Sequence, residues 1–172
     1  LSNIHRQSLY DEKDLGKLKV KVAQTKLKDI NSKTKIKIFN LKLNKKNFEK
    51  IIKRYDYIID GTDNFIAKFL INDMSLKYKK FLVTGAISKF DGHIFTFDFS
   101  NKKTPCLRSF YQEETISDDI LNCEYEGILG TVAGVVGTMQ ANEVLKRILS
   151  IGQNLNGYIL IIDFLNLNFR KV

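Results

Sequence analysis

The sequence holds no tryptophan, one proline and only two cysteines in 172 residues, and each scarcity excludes something. Two thiols cannot build the disulfide framework of a small secreted domain, nor a self-contained four-cysteine zinc site. Neither GxGxxG nor GxxxxGK[ST] occurs, so these residues hold no glycine loop of the kind that cradles phosphates. The chain opens on Leu1 and not Met, and no basic segment followed by an apolar one comes after it, so no secretory leader is read. The most apolar run, Gly127 to Met139, is interrupted by Gln140, Asn142 and Glu143. It falls short of the roughly 20 apolar residues a membrane span needs. These absences lead us to expect a cytoplasmic protein. No internal repeat or low-complexity tract is present.

What the sequence has in plenty is lysine. Lys and Arg number 28 against 19 Asp and Glu, for a formal charge of +9, and arginine stands only at positions 6, 54, 108, 147 and 170. The basic groups are densest from Lys13 to Arg54, and the acidic ones from Glu113 to Glu126. Such an excess suits nucleic acid, an acidic partner, or a plain lysine-rich surface. With no recognition motif and no interleaving of aromatic and basic residues, nucleic-acid binding has only the charge behind it. Hydrophobic residues at 44% and charged residues at 27% give an ordinary globular balance. The length is enough for one domain with a sizeable core, or for part of a larger one.

Apolar periodicity predicts a helix over residues 11–31, with Leu15, Leu18, Val22, Ala23, Leu27 and Ile30 on one stripe. Residues 35–43 alternate as a strand does, and 44–54 read as a short helix. Residues 55–60 (YDYIID) have the form of a buried parallel strand, followed by a Gly-Thr-Asp-Asn turn and an amphipathic helix to Tyr78. Strands are expected at 81–86, 93–99, 158–164 and 167–170, the last two as a hairpin through Asn166. Residues 100–126 lack periodicity and read as a long loop of the functional kind. Residues 128–151 form a helix apolar almost all round, to be buried on the sheet or on a partner, with Gly130, Ala133, Gly134 and Gly137 allowing close approach. The alternation of strands and helices predicts a single α/β domain with a largely parallel sheet.

Ligands of open α/β sheets sit beyond the carboxyl ends of the strands, where Asp60, Thr62, Asp63 and Asn64 fall. A carboxylate there suits Mg²⁺ alongside substrate phosphates. The same residue types also serve simply to cap the following helix. Arg6 can grip a phosphate through two nitrogens, and Lys19 can neutralise one as a point charge. Both equally fit solvated cations on a basic surface. Cys123 lies in the long loop, but Glu124 and Glu126 beside it do not favour a thiolate, and an inert cysteine fits as well. His5 and His93 have no sequence neighbour that suggests a dyad.

Several motifs follow one another in order: LSNxxRQ (Leu1–Gln7), GKxK (Gly16–Lys19), YDxIIDGTDN (Tyr55–Asn64), FLIND (Phe69–Asp73), GAI (Gly85–Ile87), PCxR (Pro105–Arg108) and GILGTVAGVVGTMQANEVLK (Gly127–Lys146). As an ordered set they resemble the MoeB/ThiF (HesA) family of adenylyltransferases, relatives of the ubiquitin-activating enzymes. The resemblance implies an α/β, Rossmann-like fold with a mostly parallel sheet and an antiparallel C-terminal extension. It implies ATP and Mg²⁺ as cofactors, and as partner a ubiquitin-like sulfur carrier protein with a Gly-Gly C-terminus, serving molybdopterin or thiamine synthesis. The carrier's tail carboxylate would attack the α-phosphate to give an acyl-adenylate and pyrophosphate.

By motif, Ser2, Asn3, Arg6 and Lys19 would contact the nucleotide, Asp63 would hold Mg²⁺ and Asn64 would complete the site. Arg6, Lys19, Asp63 and the loop thiol Cys123 would be the catalytic set. The glycine-rich helix resembles the family's dimer interface, so a homodimer is expected. Three departures accompany the likeness. The βαβ unit with a glycine-rich loop that opens the family's fold is not in this chain, which is therefore expected to be N-terminally incomplete. The usual CxxC is Cys106…Ser109, so no zinc is expected. No rhodanese-like domain is expected from these residues. Two other readings share the fold: a dehydratase acting on a modified tRNA base, and a non-catalytic partner that binds a ubiquitin-like protein.

Overall fold

The computed structural model describes residues 4–111 and 128–172. They fall into two compact units, Leu1–Lys42 and Leu43–Val172.

In the first unit the anticipated 11–31 helix is split. A 3-10 turn, Glu12–Asp14, is closed by a capping box between Asp11 and Asp14. Gly16 then takes a left-handed φ of 78°, which an α-helix cannot continue through, so helix α1 spans only Lys19–Ile30. The strand anticipated over 35–43 does not form. A strand needs a hydrogen-bonded neighbour, none pairs there among the described residues, and the Ile36 carbonyl instead accepts the Gln24 side-chain amide at 2.9 Å.

The second unit is built on a five-stranded sheet in the order β1-β2-β3-β4-β5. Its elements run α2 (Lys45–Ile52), β1 (Tyr57–Asp60), α3 (Phe65–Lys77), β2 (Phe81–Ser88), β3 (Asp91–Asp98), α4 (Gly130–Leu149), β4 (Ile159–Asp163) and β5 (Asn168–Lys171). β1 and β2 are parallel, with Asp60 level with Thr84. The other three pairings are antiparallel. The α/β class and the antiparallel C-terminal part are as anticipated; among the described residues the parallel part is the β1–β2 pair.

Side chains alternate across the pleat, so each strand feeds two cores. Leu82, Phe95 and Phe97 pack with Phe48 and Ile52 of α2 and with Phe69, Ile71 and Met74 of α3. Val83 and Ile94, with Phe81 and Ile162, pack under Val132, Val136 and Val144 of α4. Each fully buried side chain of this size contributes about 1.5–3 kcal/mol. α4 buries only this one face; Val135, Leu145, Ile148 and Leu149 are exposed on the rest.

The close approach of α4 is made possible by glycines of the sheet and not by its own. A Cβ on Gly92 would stand 2.6 Å from the Val136 Cγ2, whereas one on Gly134 or Gly137 would meet nothing within 4 Å. Gly92→Ala is therefore expected to lower stability by about 1–3 kcal/mol. Gly134→Ala is expected to raise it by up to about 1 kcal/mol, through helix propensity. Urea denaturation of the two variants checks this; a harmless Gly92→Ala would contradict the packing.

Candidate functional site

β1 ends in a carboxylate that is only 1% exposed, a position that demands hydrogen bonds on both oxygens. Asp60 Oδ1 accepts from the Thr62 backbone N–H (2.8 Å) and hydroxyl (2.7 Å). Oδ2 accepts from the Thr84 hydroxyl (2.6 Å) and the Lys68 ammonium (3.3 Å). Lys68, on the inward face of α3, also donates to the Gly85 carbonyl at 2.6 Å. Burial pushes the Lys68 pKa down, and the Asp60 charge opposes that. From the far side of the sheet, the Gln140 amide of α4 donates to the Asp60 carbonyl at 2.8 Å. One carboxylate thus joins β1, β2, α3 and the turn, while its carbonyl joins α4.

The turn presents Asp63 and Asn64. Asn64 Oδ1 accepts from the Ala67 N–H at 2.8 Å and so is the N-cap of α3, the structural role open to this tetrapeptide. Asp63 does no capping. It is exposed, accepts from the Asn64 side chain at 3.3 Å, and among the described residues has no lysine or arginine within ion-pair distance. A hard, accessible carboxylate oxygen of this kind fits Mg²⁺.

Arg6 and Lys19 belong to the first unit. Arg6 is half-buried and meets the His5 ring nitrogen at 3.2 Å. Lys19 is the first residue of α1, whose N-terminus has no side-chain cap and no acid in its first turn. A cation there adds to the positive end of the helix dipole instead of offsetting it. Lys19 lines a cavity of about 250 Å³ with Gln7, Tyr10, Asp14 and Lys17. Gln7 Oε1 is buried there with no hydrogen-bond partner among the described residues. The acids beside the cavity are already paired, Asp14 with Lys26 (2.5 Å) and Lys17 (3.3 Å), and Asp11 with Lys26 (2.8 Å). Lys19 has no carboxylate partner among the described residues. An exposed cation at an uncapped helix start fits a phosphate-bearing ligand. Ser2, Asn3 and Cys123 lie outside the described residues.

Two of the sequence motifs prove to be one clamp. Asn72, fully buried in α3, accepts from the Leu107 N–H at 3.0 Å. Arg108 grips Asp73 through two nitrogens, each at 2.8 Å, and lies 4.5 Å over the Phe69 ring. Burial would raise the Asp73 pKa, but the Arg108 and Asn72 hydrogen bonds outweigh it and hold it below the usual range. Cys106 stands at the start of the 3-10 turn Leu107–Ser109, its sulfur 3.9 Å from the Ser109 hydroxyl. His93 is structural, with Nδ1 3.3 Å from the Tyr111 hydroxyl and its pKa lowered by burial. In α4, Glu143 ties the helix to the segment before β4, accepting from Thr96 (3.2 Å), the Leu155 N–H (2.8 Å) and Lys146.

The fold and these residues define an α/β protein with an exposed carboxylate just beyond β1 and an exposed lysine at the start of α1. The chain belongs to the ThiF family, whose model matches residues 1–172. It is 37% identical over 170 residues to a probable molybdopterin-synthase adenylyltransferase of Gracilaria tenuistipitata var. liui, covering 99% of this chain and 47% of that protein. It is 35% identical over 175 residues to a sulfur carrier protein adenylyltransferase of Thermus thermophilus, covering 100% of this chain and 65% of that one. The chain thus spans about half to two thirds of these relatives. Among solved structures it resembles E. coli MccB with selenomethionine MccA at a TM-score of 0.83 and 18% identity, covering 99% of this chain and 51% of that one. MccB with ATP gives a TM-score of 0.81 at 18% identity, covering 99% and 52%. At that identity the likeness is one of fold.

The pairing beside the cavity sets a pH dependence. The Lys26 hydrogen bond, foremost among several, holds the Asp14 carboxyl at about 2 against an ordinary 3.8. With the folded value depressed, its contribution to stability is complete above pH 3.8 and is lost as pH falls toward 2. A carboxyl-carbon NMR titration should show the low midpoint, and Lys26→Met should move it up toward the ordinary value. An unmoved midpoint would contradict the pairing.

Proposed function

We propose that this chain is an adenylation domain that activates the C-terminal Gly-Gly carboxylate of a ubiquitin-like sulfur carrier protein with ATP, for molybdopterin or thiamine synthesis. The observation that carries the reading is the match over the whole of this chain, at 35% and 37% identity, to proteins named as adenylyltransferases. The charge arrangement supports it, with Asp63 and Lys19 both exposed and both without an ion-pair partner among the described residues.

In this reading a carboxylate oxygen of the carrier tail attacks the α-phosphorus. A P–O bond to the carrier forms, the bond to the β-phosphate oxygen breaks, and pyrophosphate leaves with that electron pair. Such transfer depends on positioning and on neutralising phosphate charge. Arg6 and Lys19 supply fixed positive charge to the nucleotide, with Ser2, Asn3 and Asn64 completing its contacts, and Asp63 holds Mg²⁺. The metal, when bound, screens the phosphates against the incoming carboxylate. Cys123 is the candidate loop thiol for a covalent link to the carrier. The exposed face of α4, which carries Leu145 and Ile148 and, three turns earlier, the unobstructed Gly134 and Gly137, supports a homodimer.

ATP–pyrophosphate exchange by the full-length protein should depend on a Gly-Gly carrier. Arg6→Ala, Lys19→Ala and Asp63→Ala should each lower it by about 10²-fold or more, with thermal unfolding close to that of the parent. Exchange that ignores the carrier would refute the reading, and exchange surviving Asp63→Ala would refute the metal role.

A further inference from the structure

We infer that Thr62 and Lys68 are positioning residues that, acting through Asp60, fix the direction in which Asp63 offers its carboxylate to the metal–nucleotide substrate. The inference rests on the reading that Asp63 meets the Mg²⁺ of ATP. It assigns work to two side chains that touch neither metal nor nucleotide.

Asp63 sits in a four-residue link between β1 and α3 that has no regular secondary structure. A link of that kind would leave an exposed carboxylate free to point many ways, unless the residues around it are held. The structure holds them at three points. Ahead of Asp63, Asp60 is fixed by its strand pairing with Thr84 and by the Gln140 bond to its carbonyl. Immediately before Asp63, Thr62 is tied by both its N–H and its hydroxyl to one Asp60 oxygen, at 2.8 and 2.7 Å. Immediately after it, Asn64 is locked onto the first turn of α3. Of the three anchors, the Thr62 one is made to the Asp60 carboxylate itself.

The orientation of that carboxylate is set in turn by Lys68 and Thr84 on its other oxygen. Lys68 is held against β2 by its 2.6 Å bond to the Gly85 carbonyl. The series runs from sheet to Lys68, to Asp60, to Thr62 and so to the backbone of Asp63. Thr62 is the informative member, because it is only half-buried and its hydroxyl donates to Asp60. Replacing it with Val keeps the shape and removes one bond of the series.

The test uses the full-length protein, with Mn²⁺ as an EPR-visible stand-in for Mg²⁺, and reads Mn·ATP binding, metal-free ATP binding and thermal unfolding. Thr62→Val is expected to unfold at a modestly lower temperature, since a buried carboxylate loses one donor, and to bind metal-free ATP like the parent. It should bind Mn·ATP about tenfold more weakly, the loss typical when a group that orients a metal ligand is removed. Thr62→Ser, which restores the hydroxyl, should return binding to within about twofold of the parent. Lys68→Met should show the same selective loss together with a lower unfolding temperature. If Asp63→Ala loses Mn·ATP while Thr62→Val retains it at parental affinity, the positioning role is overturned and the metal role of Asp63 stands. If the parent does not bind Mn·ATP, both fall.

Discussion

The buried contact between Asp60 and Lys68, at 3.3 Å, is the constraint on which the second unit is organised. A carboxylate 1% exposed and an ammonium 6% exposed each cost several kcal/mol to take out of water. The structure offsets that cost with two donors on each carboxylate oxygen, the Thr62 N–H and hydroxyl on one and Thr84 and Lys68 on the other, and with two acceptors for the ammonium, Asp60 and the Gly85 carbonyl. Removing either ion alone would leave the other buried and unpaired, at a cost of about 3–5 kcal/mol. The pair is worth more as a specifier of geometry than as a source of net stability. It fixes where β1 stops, where α3 starts and how the turn between them runs.

Other polar groups inside the unit follow the same logic at greater distance from the chemistry. Asn72 and Arg108 hold the 3-10 turn over residues 107–109 against α3. Glu143 anchors α4 to the segment that enters β4; burial would raise its pKa, and hydrogen bonds from Lys146, Leu155 and Asn154 keep it low. Residues that share motifs therefore divide by role. Asn72, Asp73, Arg108, Gln140 and Glu143 build the frame, whereas Asp63 and Lys19 remain exposed with no ion-pair partner among the described residues.

Much of the frame was legible in the sequence. The apolar runs at YIID and FLVTGA, the alternation after Asp91 and the Asn166 hairpin all form as strands, because each has a partner within the chain. The alternating stretch at 35–43 fails for want of one, since alternation states a preference and pairing decides it. The long helical stripe over 11–31 was misleading because Gly16 interrupts it at a positive φ, a feature that apolar periodicity does not carry. Asp63 and Asn64 were readable by position, at a strand's carboxyl end. Lys68, Thr84 and Gln140 were not singled out, although Lys68 and Asn72 stand four apart on the apolar face of α3. Polar residues at core positions were the available signal, and their partners come from β1, β2 and the 107–109 turn, which helical periodicity alone does not connect.

The central claim is that the Asp60 carboxylate holds the turn carrying Asp63 as rigidly as the sheet itself. Amide hydrogen exchange of Thr62 in the native protein tests it most directly. An N–H donated at 2.8 Å to the carboxylate of Asp60 should exchange as slowly as the amides of β2, which open only with the unit as a whole. Exchange of the Thr62 amide at the rate of an open loop would contradict the account.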